Sequence, residues 1–240
     1  MEPPAALEAD TLRDEKVKVL RSVRPFAPDE IPASAVRAQY GAGTVDGKPV
    51  PGYLGEAGVP ASSTTPTFVA AKFFIDNWRW RGVPFYLRTG KRLSKQTSMI
   101  ALRFRDPPQQ LFREARPGGM TPNWILLSLQ PNESMHLEIH AKEPGLGMQT
   151  HVIQMNAGYR KEDEAQPDAY EALLSDIIRD DATNFIRFDE VEWAWRVVDP
   201  LLKYWGRTPA SLASYAAGSW GPAQADSLFT TPDRAWRNDI

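Results

Sequence analysis

Apolar residues alternate with polar ones from about residue 68 to residue 157, and after residue 167 they recur every three or four positions instead. A period of two belongs to a strand with one buried face, whereas a period of 3.6 belongs to an amphipathic helix. In TFVAAKFFIDNW, Val69, Ala71, Phe73 and Ile75 fall on one face, and Lys72 and Asp76 fall on the other. VPFYLR and TSMIALRFR follow, the second grouping Ile100, Leu102 and Phe104 opposite Arg103 and Arg105. NWILLSLQ, the turn PNES and MHLEIHA spell a hairpin. There Met135, Leu137 and Ile139 are expected to face inward, with His136, Glu138 and His140 outward. HVIQMNA supplies another short strand.

The helical stretches flank this region. Asp10, Thr11 and Asp14 precede EKVKVLRSV, which reads as a capped helix of about two to three turns. Past Pro167, placed as in a first helical turn, Tyr170, Leu173, Leu174, Ile177 and Ile178 form one apolar stripe. DEVEWAWRVVDPLLKYW is a second helix, with Asp189 as its expected N-cap and Pro200 ending or kinking it. Residues 41–66, rich in Gly, Pro, Ser and Thr, read as one long loop, and the last thirty residues as a tail over the surface. Strands in series followed by helices predict an α+β fold: a large, mostly antiparallel sheet with helices packed on one face.

Function is narrowed by what is missing. No run of 18 apolar residues occurs among the 240, so no membrane-spanning helix is expected, and MEPPAALEADTLRDEKVKVL lacks the layout of a secretion signal. The chain has no cysteine, which excludes disulfides and thiolate metal sites and suits a cytoplasmic protein. A formal net charge of −2 argues against nucleic-acid binding, which needs a strongly positive face. The three histidines, 136, 140 and 151, make a poor metal set. Positions i and i+4 of a strand lie roughly 13 Å apart, so His136 and His140 cannot share an ion. Neither a dinucleotide fingerprint nor a phosphate-binding P-loop is present: GAGTVD lacks the third glycine, and TGKR lacks the upstream glycine and the hydroxyl residue after lysine.

Charge is unevenly distributed. Residues 79–105 hold eight Lys or Arg and no acid, whereas residues 161–199 hold twelve acids and four cations. Such asymmetry steers an anion towards one part of the surface. Within the basic stretch, TGKRLSKQ places Lys91, Arg92 and Lys95 on a loop between two strands, with Gly90 allowing a close backbone turn. Loop lysines of this kind serve as point charges for a phosphate or carboxylate, although an ordinary solvated loop has the same composition. Most of the eight tryptophans read as core or interface fillers.

The segment GYLGEAGVPASSTTPTFVAAKFFIDNWRWRGVPFYLRTGKRLSKQ closely resembles the C-terminal domain of glucose-6-phosphate dehydrogenase. So do MEPPAALEADTLRDEKVKVL, LSLQPNE, PDAYEALLSDIIRDD and DEVEWAWRVVDPLL, in the family's order. The resemblance implies that residues 1–240 are one such domain, with a sheet face that makes a homodimer contact. The reaction it implies is oxidation of glucose 6-phosphate at C1 to 6-phosphogluconolactone, with hydride passing to NADP, in the pentose phosphate pathway. Lys91 matches the family's sugar-phosphate lysine, Lys95 a second substrate cation across a loop that is one residue shorter, and Gln130 a position near the sugar in some members. The chain starts at the segment that follows the family's catalytic histidine, so no catalytic residue is expected here and NADP would be held by a coenzyme domain these residues do not contain. The positions matching a second, structural NADP site in some relatives are Ser128, His136 and Glu138, which do not suit a 2′-phosphate. The chain alone is therefore expected to lack dehydrogenase activity. A non-catalytic sugar-phosphate-binding or regulatory subunit derived from the enzyme is the alternative.

Overall fold

The computed structural model describes residues 1–106, 122–147, 149–159 and 169–238. Its helices are α1 (Ala9–Ser22), α2 (Ile31–Ser34), α3 (Ala169–Ile178) and α4 (Phe188–Arg207). The strands are β1 (Ala35–Gly41), β2 (Gly43–Val45), β3 (Lys48–Val50), β4 (Phe68–Phe74), β5 (Pro84–Gly90), β6 (Ser98–Arg103), β7 (Trp124–Gln130), β8 (Ser134–Lys142), β9 (Thr150–Gly158) and β10 (Leu212–Ala216). Helices and antiparallel strands in these proportions make an α+β fold. The strands divide between two four-stranded sheets and the two-stranded β2–β3 ribbon, where one large sheet was expected. Two compact units result, Met1–Ser94 with Gln166–Ala235 and Lys95–Ala165 with Trp236–Ile240.

The first unit is built on the sheet β10-β1-β4-β5, in which β10 runs parallel to β1 and the other pairs are antiparallel. Ala35 and Ala71 are register partners, and their small side chains leave room for large ones from the α1–α2 connection, α2 and α4. Into that space go Phe26, Ile31, Leu201 and Trp205, all buried, with Val69, Phe73, Val197 and Tyr204 packed against them. Each fully buried side chain of this size contributes roughly 1.5–3 kcal/mol. On the opposite face a 3-10 segment, Ala223–Leu228, buries Leu228, and the next residue, Phe229, packs its ring on Tyr86 of β5.

Several expectations are corrected here. Helix α1 begins at Ala9, so Asp10, Thr11 and Asp14 lie inside it, and it is longer than expected, at 14 residues. Arg187, not Asp189, is the N-cap of α4; its N–H donates to Glu190 Oε1 at 3.0 Å. Asp189 sits in the first turn, where a carboxylate favours the helix dipole. Pro200 lies within α4, which continues to Arg207. The long loop at 41–66 contains the β2–β3 ribbon and a 3-10 turn at Tyr53–Gly55. The presumed surface tail supplies a sheet strand, β10, and buried residues that include Tyr215, Ala217, Ala225 and Leu228. Pro167 lies outside the described residues, and the α3 stripe is largely exposed, with Ile178 85% accessible.

One charged side chain is buried in this unit without a carboxylate partner. Arg37, 5% exposed, donates from Nη2 to the carbonyls of Trp205 (3.0 Å) and Thr208 (2.9 Å) and from Nε to Ser211 Oγ (3.3 Å). It thereby adds a donor to two carbonyls at the C-terminal end of α4, beside Thr208 N–H on Trp205 O (3.3 Å) and Ser211 N–H on Thr208 O (3.0 Å), and its charge opposes the negative end of the helix dipole.

The second unit carries the sheet β6-β7-β8-β9, antiparallel throughout. Direct partners share a face, so Trp124, Glu138 and Gln154 lie on one side and Ile125, Leu137 and Met155 on the other. The alternation is as the sequence implies, and the sense is reversed. Ile100, Leu102 and Met135 are on the more open face, at 47%, 37% and 37% exposure. On the polar face Glu138 pairs with Arg237 at 2.7 Å, the Arg237 guanidinium lies over Trp124, and Leu126 is fully buried. Tail residues cover the polar side, so His136, Glu138 and His140 do not point to bulk solvent as expected.

Arg37→Met retains aliphatic bulk and removes the buried side chain's three hydrogen bonds, to the carbonyls of Trp205 and Thr208 and to Ser211 Oγ. We expect a loss of about 2–4 kcal/mol, seen as a lower urea midpoint by tryptophan fluorescence, with Arg37→Lys recovering part of it.

Candidate functional site

The backbone at the end of β5 is fixed before any side chain is considered. Gly90 stands opposite Phe68 in the β4–β5 register, and a Cβ added to it would meet Phe68 Cδ2 at 2.9 Å. The glycine is therefore required for space beside a fully buried ring, and not for a left-handed backbone. The left-handed residue is Arg92, at φ +52°.

Lys91, between them, is held at both peptide groups. Its N–H donates to Thr67 O at 2.8 Å, and its carbonyl accepts from the Tyr215 hydroxyl at 2.6 Å. The next carbonyl, of Arg92, accepts from Gly218 N–H at 2.8 Å, and Ser94 N–H donates to Ser219 O at 3.0 Å. Gly218, at φ +85°, comes so close to Thr44 O that no larger residue fits. Residues 91–94 are thus laced to the segment following β10.

The cations of the loop have different fates. Arg92 Nη2 pairs with Glu56 Oε1 at 3.2 Å, and the Tyr40 hydroxyl donates to the same oxygen at 3.0 Å. That raises the Arg92 pKa and engages its charge. Arg88 lies over the Trp220 ring, 4.9 Å from its centroid, and burial lowers its pKa. Lys91 is exposed, and among the described residues its ammonium makes no hydrogen bond or ion pair. Lys91 is in the first unit, whereas Lys95 and Gln130 are in the second. Lys95 lines a cavity of about 230 Å³ with Thr97, Ser128, Asn132, Ser134 and His136. Gln130 is exposed, and its carbonyl accepts from Thr97 Oγ1 at 3.0 Å.

At the positions matching a structural nucleotide site, polar groups satisfy one another. His136 Nδ1 lies 2.6 Å from Asn156 Oδ1, and His136 Nε2 lies 3.0 Å from Ser134 Oγ. Asn156 Oδ1 can only accept, so the imidazole carries its proton on Nδ1 and takes the Ser134 hydroxyl proton at Nε2. Glu138 is a carboxylate engaged by Arg237. These three positions, Ser128 included, do not fit a 2′-phosphate. Among the described residues no group of three or more His, Asp or Glu side chains could hold a metal ion, and no helix is long and apolar enough to cross a membrane.

Thr67, Tyr215, Glu56 and Tyr40 were not singled out from the sequence. Thr67 and Tyr215 are 148 positions apart, and no local pattern marks their meeting.

The sequence profile described as "Glucose-6-phosphate dehydrogenase, C-terminal domain" matches residues 1–237. The chain belongs to that family. It is 41% identical over 239 residues to the glucose-6-phosphate 1-dehydrogenase of Bacillus subtilis, covering 99% of this chain and 49% of the relative. Against the enzyme of Rhizobium meliloti the figures are 42% over 244 residues, covering 100% and 49%. Among solved structures, a glucose-6-phosphate dehydrogenase in complex with its substrate glucose 6-phosphate superposes with a TM-score of 0.83 at 31% identity, covering 99% of this chain and 48% of that one. The Mycobacterium avium glucose-6-phosphate 1-dehydrogenase gives 0.79 at 33%, covering 100% and 47%. The chain therefore spans about half the length of the family members it matches.

The hydroxyl that holds Lys91 is buried, and burial pushes the Tyr215 pKa above the ordinary value of 10.0. The folded state then keeps this proton where the unfolded state has lost it. Its contribution to stability is full below about pH 10 and is lost as pH rises towards the folded value. Urea midpoints taken from about pH 8 to about pH 11 should fall over that range, and Tyr215→Phe should flatten the fall.

Proposed function

We propose that this chain is the substrate-binding and dimer-forming half of a cytoplasmic, NADP-dependent glucose-6-phosphate dehydrogenase, with Lys91 as the cation that holds the sugar phosphate. The observation that carries the reading is the contrast within one loop. Arg92 is already paired with Glu56, whereas the Lys91 ammonium is exposed on a backbone fixed at both its peptide groups. A compact ammonium with no partner, on a rigid support, is the arrangement that loses least on meeting a phosphate. Lys95 and Gln130 are proposed as further substrate-binding residues, and the hydroxyl and amide groups around the Lys95 cavity support a polar ligand there. Hydride transfer to NADP is assigned to the coenzyme-binding half of the enzyme, because these 240 residues hold no dinucleotide fingerprint. This chain by itself is accordingly proposed to form no NADPH from glucose 6-phosphate.

The second unit supports a proposal of dimerisation. Ile100, Leu102, Leu127, Met135, Leu137 and Met155 share one face of the β6–β9 sheet across all its strands. An open apolar sheet face of this kind suits a self-complementary contact, and we propose a two-fold homodimer through it.

For the site, Lys91→Ala should weaken binding of glucose 6-phosphate to this chain about ten- to a hundredfold, read by ligand-observed NMR titration. Wild-type affinity should fall as salt rises, and unphosphorylated glucose should show little of that dependence. Arg92→Ala should do less than Lys91→Ala. Equal affinity of wild type and Lys91→Ala would sink the assignment of this lysine, whatever the family.

For the dimer, light scattering at tens of micromolar should give twice the chain mass. Met135→Glu, which puts a charge at the centre of the apolar face, should shift it to a monomer.

A further inference from the structure

We infer that Tyr215 is a positioning residue for Lys91, acting through a relay of buried hydroxyls that ends on the lysine's own carbonyl. The inference rests on the reading of Lys91 as the phosphate-holding cation and names what sets its place.

The Tyr215 side chain is 4% exposed, wedged between Phe68 (ring centroids 5.5 Å apart) and Tyr40 (6.4 Å). Its oxygen lies 2.6 Å from Lys91 O, 3.2 Å from Thr67 O and 3.2 Å from Thr67 Oγ1. A phenol has one proton to donate, and the shortest contact takes it, so Tyr215 donates to Lys91 O. Thr67 Oγ1 accepts from Tyr40 N–H at 2.9 Å and donates its proton to Tyr215 Oη. The order of donation runs from the β1 backbone through Thr67 and Tyr215 to Lys91. Every member has one role, and chains of hydrogen bonds in a low-dielectric interior reinforce one another. Lys91 N–H returns to Thr67 O at 2.8 Å, so Thr67 grips the lysine's amide directly and its carbonyl through the tyrosine.

Removing the hydroxyl frees the carbonyl of a residue whose side chain is otherwise unanchored. The peptide plane between Lys91 and Arg92 can then rotate, and it carries the Cα–Cβ bond of Lys91 with it. A phosphate held by a single point charge is sensitive to such a displacement, whereas the packing of the tyrosine ring is not. That difference separates positioning from general support.

The test is a double-mutant cycle in the 240-residue chain, with glucose 6-phosphate as the probe and ligand-observed NMR as the readout. Tyr215→Phe keeps the ring between Phe68 and Tyr40, and should weaken binding about three- to tenfold with an unchanged far-UV circular dichroism spectrum. In the Lys91→Ala background the same substitution should change affinity by less than about twofold, because the group it positions is gone. A structural effect would weaken binding equally in both backgrounds and would overturn the inference. Thr67→Val, which cuts the relay one step earlier, should act in the same direction and also lose its effect without Lys91. If Lys91→Ala weakens binding and Tyr215→Phe does not, the inference fails and the lysine assignment stands. If Lys91→Ala leaves affinity unchanged, or wild type binds no glucose 6-phosphate, both fail together. An independent readout needs no ligand: hydrogen exchange at the Lys91, Arg92 and Gly218 amides should quicken in Tyr215→Phe, with the β4–β5 ladder amides unchanged.

Discussion

Parallel pairing of β10 with β1 is the contact on which the candidate site depends. Tyr215 aligns with Tyr40 in that register, and the turn after β10 then delivers Gly218 and Ser219 to the backbone of residues 92 and 94. A strand that arrives late in the chain thus becomes the wall against which an earlier loop is set. Parallel neighbours require a long crossover, and here everything between β1 and β10 serves as that connection, including the Lys95–Ala165 part of the second unit. The closure is costly in chain entropy, and the small residues Ala35, Ala38, Ala70 and Ala71 help to offset it by letting β1 and β4 be covered closely. Arg37 works at the same junction, tying the end of α4 to the sheet just where the chain turns into β10.

Electrostatics at the loop turn on partners brought from a distance. The stretch from residue 79 to residue 105 is free of acids in sequence, but it is not free of them in space. Glu56 comes from the Gly- and Pro-rich region to meet Arg92, Glu2 comes from the N-terminal segment to meet Arg79 at 2.7 Å, and Asp106, just past the stretch, meets Arg103. Exposed pairs of this sort contribute little stability, but each engages a cation that would otherwise attract an anion. Beside the engaged Arg92, the Lys91 ammonium makes no ion pair among the described residues.

The sheet of the second unit shows how one alternation supports two opposite burials. Its polar face is closed by the C-terminal residues Arg237 and Asn238, which engage Glu138 and line the cavity beside His136. Its apolar face is left partly open. Alternation says which residues share a face, and nothing in a period of two says which face is covered. Arg237 lies nearly a hundred positions from Glu138, so the pairing that reverses the expected sense has no local signature.

What the sequence determined by itself was the α+β class, the positions of β4, β7, β8 and α4, the family, and Lys91 as the cation of interest. These rest on short-range regularities: hydrophobic period, turn residues and contiguous motifs, all of which are local properties of the chain. Tertiary structure alone decided the division into two units, the use of the supposed tail as β10, the covered face of the second sheet and the pairing of Arg92 with Glu56. The relay from Tyr40 through Thr67 and Tyr215 belongs to the same group. Each of these depends on a contact between residues far apart in the chain. Such contacts are fixed by which surfaces can be buried together, and no stretch of a few residues encodes that choice.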